Sequence, residues 1–299
     1  MLDFFAGIFG YLLNFLYNIV GNYGIAIIIF TVLVKLIMLP ISVNQQKTMK
    51  KTAKVQVKLK ELQEKYANDQ VRLGQETMDL YKKENVSPFG GCLTSIIQMI
   101  LILAIFFLVS RPLTFMKHLD AELINKYTQE LASESEEALR YPEISIIKLK
   151  SAEDENVRIN MDFFGLDLSD VPSQNHTDWK VYIIPVLYVL TSIVSTKLTT
   201  ALTKKKNEEK EAKEKAVIVD KEVKQNDKEK ALKVTENRDN KEEDAMEEMT
   251  KQMNIMMPLM SVSIALIAPL GLALYWLVSN LLMIVERLVL NKVLKDEEE

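Results

Sequence analysis

Residues 24–43, GIAIIIFTVLVKLIMLPISV, form a twenty-residue apolar run interrupted by one full charge, Lys35. A bilayer core about 30 Å thick takes ~20 apolar residues of helix, so this run is long enough to cross it. An ammonium at the centre of such a helix costs about 2.5–3.5 kcal/mol on insertion scales and marks a functional site unless the side chain escapes to the interface. Escape is open here: Lys35 lies eight residues before Val43, roughly 12 Å of helix, and a snorkelling stem recovers part of that depth. The segment alone leaves both readings standing, a snorkelling lysine and a charge facing a wet cavity.

Composition extends the membrane reading to the whole chain. The 299 residues are 48% hydrophobic and 26% charged, but the two kinds are segregated. Charge-poor runs occur at 24–43, 92–110, 181–202, 253–268 and 270–285, with Lys- and Glu-rich blocks between them, so a mean hydropathy near zero averages two populations. The net charge of −4 therefore says little about partners. A single cysteine, Cys92, excludes an intrachain disulfide, and two histidines without a Cys/His cluster argue against a structural metal.

Residues 1–23 contain no Lys or Arg and lack the basic region and cleavage site of a signal peptide. Phe5, Phe9, Leu12, Leu13, Leu16 and Val20 recur at helical spacing, opposite Asp3, Gly7, Gly10, Asn14, Asn18 and Gly21. The expectation is an amphipathic helix lying in the interface, with a short extra span as the alternative.

After the first span, Lys47, Lys50, Lys51, Lys54, Lys58 and Lys60 precede any acid, which places that end in the cytoplasm. Within 44–87, Met49, Thr52, Gln56, Leu59, Gln63 and Tyr66, then Val71, Gly74, Met78 and Tyr81, fall on three-four spacing around a turn at Ala67-Asn68-Asp69. This predicts an antiparallel helical hairpin with a thin, mobile seam, serving either as a binding arm or as a solvated structural element.

A second span covers 88–110, with Gln98 its one strongly polar side chain, a residue type that most often bonds between helices. Segment 111–179 holds seven basic and fourteen acidic residues and is assigned to the outside; 113–139 reads as helical, and Ile144–Leu149 with Val157–Met161 as a small β-hairpin. A third span, 180–202, is rich in Ser and Thr, whose small faces permit close packing. Segment 203–251 is a charged linker, with fourteen basic and fifteen acidic residues in 204–251. Spans 252–268 and 269–290, parted by Pro269, make a membrane hairpin, and 291–299 is a short acidic tail. Neither 113–160 nor 204–248 shows a stripe that must pack on the spans, so both are expected to be spacers.

The fold expected is thus an all-α polytopic membrane protein of five transmembrane helices, with the N-terminus outside and the C-terminus in the cytoplasm. In that frame the run 24–47, KLKELQEKY at 58–66, QETMDLYKKE at 75–84, PFGGCL at 88–93 and PLGLALYWLVSN at 269–280 resemble the YidC family of membrane protein insertases, whose relatives serve mitochondria and chloroplasts. The resemblance implies a groove among the five helices, open to the cytoplasm and sideways to lipid. It places Lys35 at the family's groove cation, usually Arg, with Thr31, Gln98 and Trp276 facing the substrate and Leu59, Leu62 and Met78 on a substrate-capture hairpin. Implied partners are nascent membrane proteins and the lipid bilayer, with the Sec translocon, the ribosome and the signal recognition particle as further candidates; no nucleic-acid specificity and no cofactor are implied.

Some positions depart from the pattern. Val57, Thr94 and Ile100 stand where prolines are common, Glu286 where Gln is usual, and the acidic tail replaces the long basic tail with which some relatives bind ribosomes. Lys in place of Arg keeps the charge but loses the planar fork. Neither a Walker-type loop nor a Ser/His/Asp or HExxH pattern appears, so no enzymatic activity is expected. The competing class is a small-solute transporter with Lys35 binding an anion, although such folds show internal repeats that are not visible here. An assembly chaperone beside the Sec channel would use the same groove.

Overall fold

The computed structural model describes residues 2–67, 69–84, 86, 90–133, 137–175, 177–198, 201 and 263–296. The chain divides into two units, Met1–Ser169 with Leu290–Glu299, and Asp170–Val289. The structure is mostly helical. Among the described residues, four helices are long and apolar enough to cross a membrane: Leu2–Val20, Tyr23–Gln45, Trp179–Leu198 and Leu270–Leu290. The polytopic, helical class is therefore present. Residues 252–262 of the expected fourth span and the linker 203–251 lie outside the described residues.

In the first unit, α1 (Leu2–Val20) is mostly apolar, with Asp3, Asn14 and Asn18 as its acidic and amide side chains. Ala6, Gly10, Leu13 and Leu16 are buried, while Phe4, Ile8, Tyr11, Phe15 and Ile19 form an exposed stripe. This division differs from the expected one: Gly10, assigned to the polar face, is buried. Its missing side chain is the reason, because a Cβ there would collide with the carbonyl of Phe115. Gly21, at φ 64°, then ends α1, and Asn22 caps the next helix by accepting from the Ile25 N–H at 3.1 Å.

Helix α2 (Tyr23–Lys65) is continuous for 43 residues, roughly 64 Å, so the first span and the following basic segment are one rod. Pro40 lies inside it and leaves the Leu36 carbonyl without its helical donor. After a turn at Tyr66–Asp69, α3 (Gln70–Lys83) doubles back, with Asp69 as N-cap. The Lys58–Glu84 ion pair (2.5 Å) and a Tyr66–Glu76 hydrogen bond (3.4 Å) join the two arms, so the helical hairpin is present. The seam on α3 is offset from the expected one. Leu73, Thr77 and Leu80 are partly covered, whereas Val71, Gly74 and Met78 face outward. Two leucines one helical repeat apart cover more apolar area than the Val71/Gly74/Met78 row, which sets the rotation of α3.

Helix α4 (Gly90–Ser110) is followed by α5 (Pro112–Phe115), which starts on a proline, and then by α6 (Ala121–Ala132). The expected helix over 113–139 is thus broken at 116–120, where His118 takes a left-handed φ of 52°. The predicted strand Ile144–Leu149 is instead helix α7 (Pro142–Lys150). Its β-branched alternation reads as strand, but Pro at the first position, Glu143 in the first turn and Lys148 and Lys150 in the last are helix-end chemistry, and that chemistry prevails. Val157–Met161 is irregular. The hairpin forms just beyond it, from β1 (Asp162–Phe163) and β2 (Leu166–Asp167) in antiparallel register.

Segment 113–160 is not a spacer either. Asn160 donates from its backbone N–H to Tyr17 Oη (2.8 Å) and from Nδ2 to the Gly21 carbonyl (3.0 Å), and its own carbonyl accepts from the Tyr23 N–H (3.0 Å). Such ties come from single polar groups at irregular positions, so no periodic stripe announces them.

The second unit contains α8 (183–198), α9 (263–267) and, as far as Val289, α10 (Leu270–Asp296). Ala268 and Pro269 make a tight connection between α9 and α10. It is stitched to the preceding loop: Leu270 donates to the Asp170 carbonyl (2.8 Å) and Ser173 to the Leu266 carbonyl (2.9 Å).

Candidate functional site

Burial along α2 follows one stripe, Tyr23, Ala26, Ile27, Phe30, Thr31 and Val34. Phe30 meets Phe9 of α1 edge-on at 5.9 Å between ring centroids. Thr31 is 2% exposed and its hydroxyl donates to the Ile27 carbonyl at 2.6 Å. That hydroxyl is already committed within its own helix, so Thr31 contributes a small, internally satisfied surface. Lys35, one turn further, sits half-buried at the margin of the stripe, between buried Val34 and exposed Leu36 and Ile37. It lies about 18 Å along the helix from Tyr23, beyond the midpoint of a 30 Å core.

The N-terminal end of α2 is closed by polar contacts that the sequence did not announce. Asn22 Nδ2 donates to the Asp162 carbonyl (2.6 Å), and the Phe163 ring occupies the space beside Gly24 that a Cβ would fill. Glu143, 5% exposed, accepts from the Thr114 N–H (2.9 Å) and hydroxyl (2.5 Å). Burial pushes its carboxyl above the usual range; the Thr114 donors, the Leu113 N–H and the Arg111 charge oppose that only in part. The buried Tyr23 hydroxyl has no hydrogen-bond partner among the described residues.

In the second unit, Trp276 is half-buried on α10 amid buried Leu272, Ala273, Tyr275 and Leu277. Its ring lies 5.8 Å from that of Tyr188 at 35°, a pairing with α8 that sequence reasoning missed. An aromatic within a Ser/Thr-rich span was the available signal. The hydroxyls of Thr191 and Thr196 turn back to the carbonyls of Tyr188 and Ser192. The remaining groove candidate, Gln98, belongs to α4, but its side chain lies outside the described residues. On the helical hairpin, Leu59 and Leu62 are partly covered by the seam, and Met78 and Val71 are 56% and 76% exposed.

Apolar helices of spanning length, one carrying a lysine at depth and running on into an exposed helical hairpin, define a polytopic integral membrane protein. The family described as 60Kd inner membrane protein matches residues 15–298, and the chain belongs to that family. It is similar to the protein named membrane protein insertase YidC from Syntrophus aciditrophicus (strain SB), 56% identical over 87 residues, which are 29% of this chain and 16% of the relative. The equally named protein of Caldanaerobacter subterraneus subsp. tengcongensis is 42% identical over 97 residues, and that of Fusobacterium nucleatum subsp. nucleatum 45% over 96; each match covers 32% of this chain and 47% of the relative. The matched stretches thus span less than half of these relatives.

Proposed function

We propose that this protein is a membrane protein insertase, which receives apolar segments of nascent proteins in a polar groove and releases them sideways into the bilayer. The observation that carries it is Lys35, a half-buried cation at depth on the first spanning helix, in a family whose matched relatives bear the insertase name. A charge there lowers the cost of drawing a substrate's polar or acidic outer segment part-way across, while its apolar segment partitions into lipid at about 25 cal/mol per Å². A membrane potential adds about 2.3 kcal/mol per charge per 100 mV. The family resemblance makes Thr31, Gln98 and Trp276 the proposed substrate-facing positions, and Leu59, Leu62 and outward-facing Met78 the proposed first receivers of the segment. The mechanism needs no covalent chemistry. The Sec translocon, ribosome and signal recognition particle are proposed partners in delivery.

The arrangement in the membrane is five spans, with the N-terminus outside and the C-terminus in the cytoplasm, and α1 lies flat in the outer interface although it is long enough to span. Three contacts support the flat position. Gly10 abuts Phe115, Tyr11 stacks on His118 at 4.1 Å, and Tyr17 bonds Asn160, all in the polar block after α4. Gly10 is roughly 15 Å of helix from Val20, so an upright α1 would carry His118 and Asp120 to mid-bilayer depth.

Reconstitution of the purified chain into liposomes with a short single-span substrate tests the proposal. Insertion without other proteins is expected, retained in Lys35→Arg and lost most for acidic outer segments in Lys35→Ala. Equal activity of Lys35→Ala on all substrates removes the charge from the mechanism, and solute flux without insertion would make the protein a transporter.

A further inference from the structure

We propose that the β1–β2 hairpin is a wedge that seats the Phe164 ring in the outer lipid interface beside the first spanning helix. This rests on the orientation given above, in which Tyr23 marks the outer end of α2. The hairpin turns on Phe164 and Gly165, both at positive φ, 52° and 78°. Two consecutive left-handed residues make the mirror-image turn that suits a twisted ribbon, and its first position favours Asn, Asp or Gly. A bulky residue there is a genuine outlier that persists where something else requires it. Turn geometry therefore does not select Phe164.

Packing within the chain does not select it either. Phe164 is 88% exposed, and its ring meets only the edge of its neighbour Phe163, at 4.8 Å between centroids among the described residues. A side chain strained in its backbone and idle in the core is explained by an occupant outside the chain.

The position of the ribbon identifies that occupant. Phe163 fills the space over Gly24, Asn22 holds the Asp162 carbonyl, and Tyr23 holds the Asn160 carbonyl. The ribbon is thereby fixed to the residues at which α2 begins. One residue further, exposed Ile25 opens the lipid-facing surface of that helix. Phe164 thus lies at the depth where a helix enters the bilayer, and amphipathic and aromatic side chains concentrate at that level.

The local chemistry agrees. The tip is Phe164-Gly165-Leu166, the carboxylates of Asp162 and Asp167 stay at its exposed base, and 159–169 contains no cation. Asp167 is held there by the Ser169 N–H (2.9 Å) and hydroxyl (2.6 Å). Without a cation the tip has nothing to offer an acidic headgroup or an acidic protein. It fits the apolar margin of the acyl chains.

The test uses the full chain with Cys92→Ser and one nitroxide-labelled cysteine, Phe164→Cys or, as reference, Glu155→Cys, reconstituted in phosphatidylcholine/phosphatidylglycerol vesicles. At 164, collisions with oxygen should exceed those with a water-soluble nickel chelate several-fold, and at 155 the order should reverse. Nickel access at 164 equal to that at 155 overturns the wedge. Low access to both reagents, or spin–spin broadening, means that protein or a second copy covers the ring, and this overturns lipid as the occupant. The reference separates the two layers of inference: in right-side-out vesicles, a 155 label that resists an impermeant reductant added outside refutes the orientation itself. In detergent, Phe164→Asn should leave the thermal midpoint unchanged or raise it, since Asn suits the turn; a fall of the size of a core truncation would make Phe164 structural and end the proposal.

Discussion

At its N-terminal end α2 is tied to other elements at nearly every residue, through Gly21, Asn22, Tyr23 and Gly24, with buried Glu143 bracing α5 nearby. At its far end the same helix meets α3, among the described residues, through a thin seam, the partly exposed Lys58–Glu84 ion pair, a long Tyr66–Glu76 hydrogen bond and the Arg72 guanidinium 5.2 Å from the Tyr66 ring, with Val71 and Met78 turned away from it. One rod thus carries a seat built from buried polar contacts and an arm built from few. The contrast agrees with the proposed function, in which Lys35 would need a fixed depth and a receiving arm would need to adapt to many sequences. Local stability follows the density of buried contacts, so the arm is expected to open at far lower free energy than the seat.

The largest effects should come from two glycines that answer oppositely. Gly10→Ala drives a Cβ into the backbone of Phe115, so about 1–3 kcal/mol of stability should be lost, read as a lower thermal midpoint. Gly74→Ala meets nothing within 4 Å in an exposed helix and should gain roughly 0.5–1 kcal/mol. Equal responses would erase the difference between seat and arm.

A smaller effect distinguishes the two ends by pH. Burial raises the Glu143 carboxyl, so the folded chain keeps a proton that the unfolded chain has released. The stability this group contributes is fully present below the ordinary Glu range and is lost as pH rises through the raised value. Glu143→Gln should therefore match the parent chain at pH 4 and melt higher at pH 7, because the Thr114 hydroxyl can reverse and accept from the amide. Coincident melting curves at both pH values would show that the brace is not strained by its charge.

The smallest effect belongs to the arm. Lys58→Ala removes one member of a pair whose side chains are 53% and 30% exposed, so at most about 1 kcal/mol should be lost, and less in high salt. Hydrogen exchange of α3 amides reads this directly, and a change that spreads to residues 22–24 would mean that the arm and the seat unfold together.

Three of the expected spans, 24–43, 180–202 and 269–290, coincide with helices of spanning length among the described residues, because apolar length is a property of the sequence itself, and Lys35 stands out as a charge inside such a run. The helical hairpin was legible from its turn and charges, but not its rotation, since Val71-Gly74-Met78 and Leu73-Thr77-Leu80 both keep helical spacing and only burial decides between them. Helix α7 was misread because Ile144, Ile146 and Ile147 outweighed the end signals at Pro142 and Lys150. The ties of Asn160 and Glu143 and the Tyr188–Trp276 pair were not legible, because each joins residues far apart along the chain through one side chain.

Pro40 makes α2 a lever. The rod is clamped at Asn22–Gly24, and its ladder of backbone bonds is interrupted at Pro40, five residues beyond Lys35. From that fulcrum to Lys65 the arm measures about 37 Å, so a deflection of about 10° would sweep its tip through roughly 6 Å while Lys35, on the clamped side, kept its place.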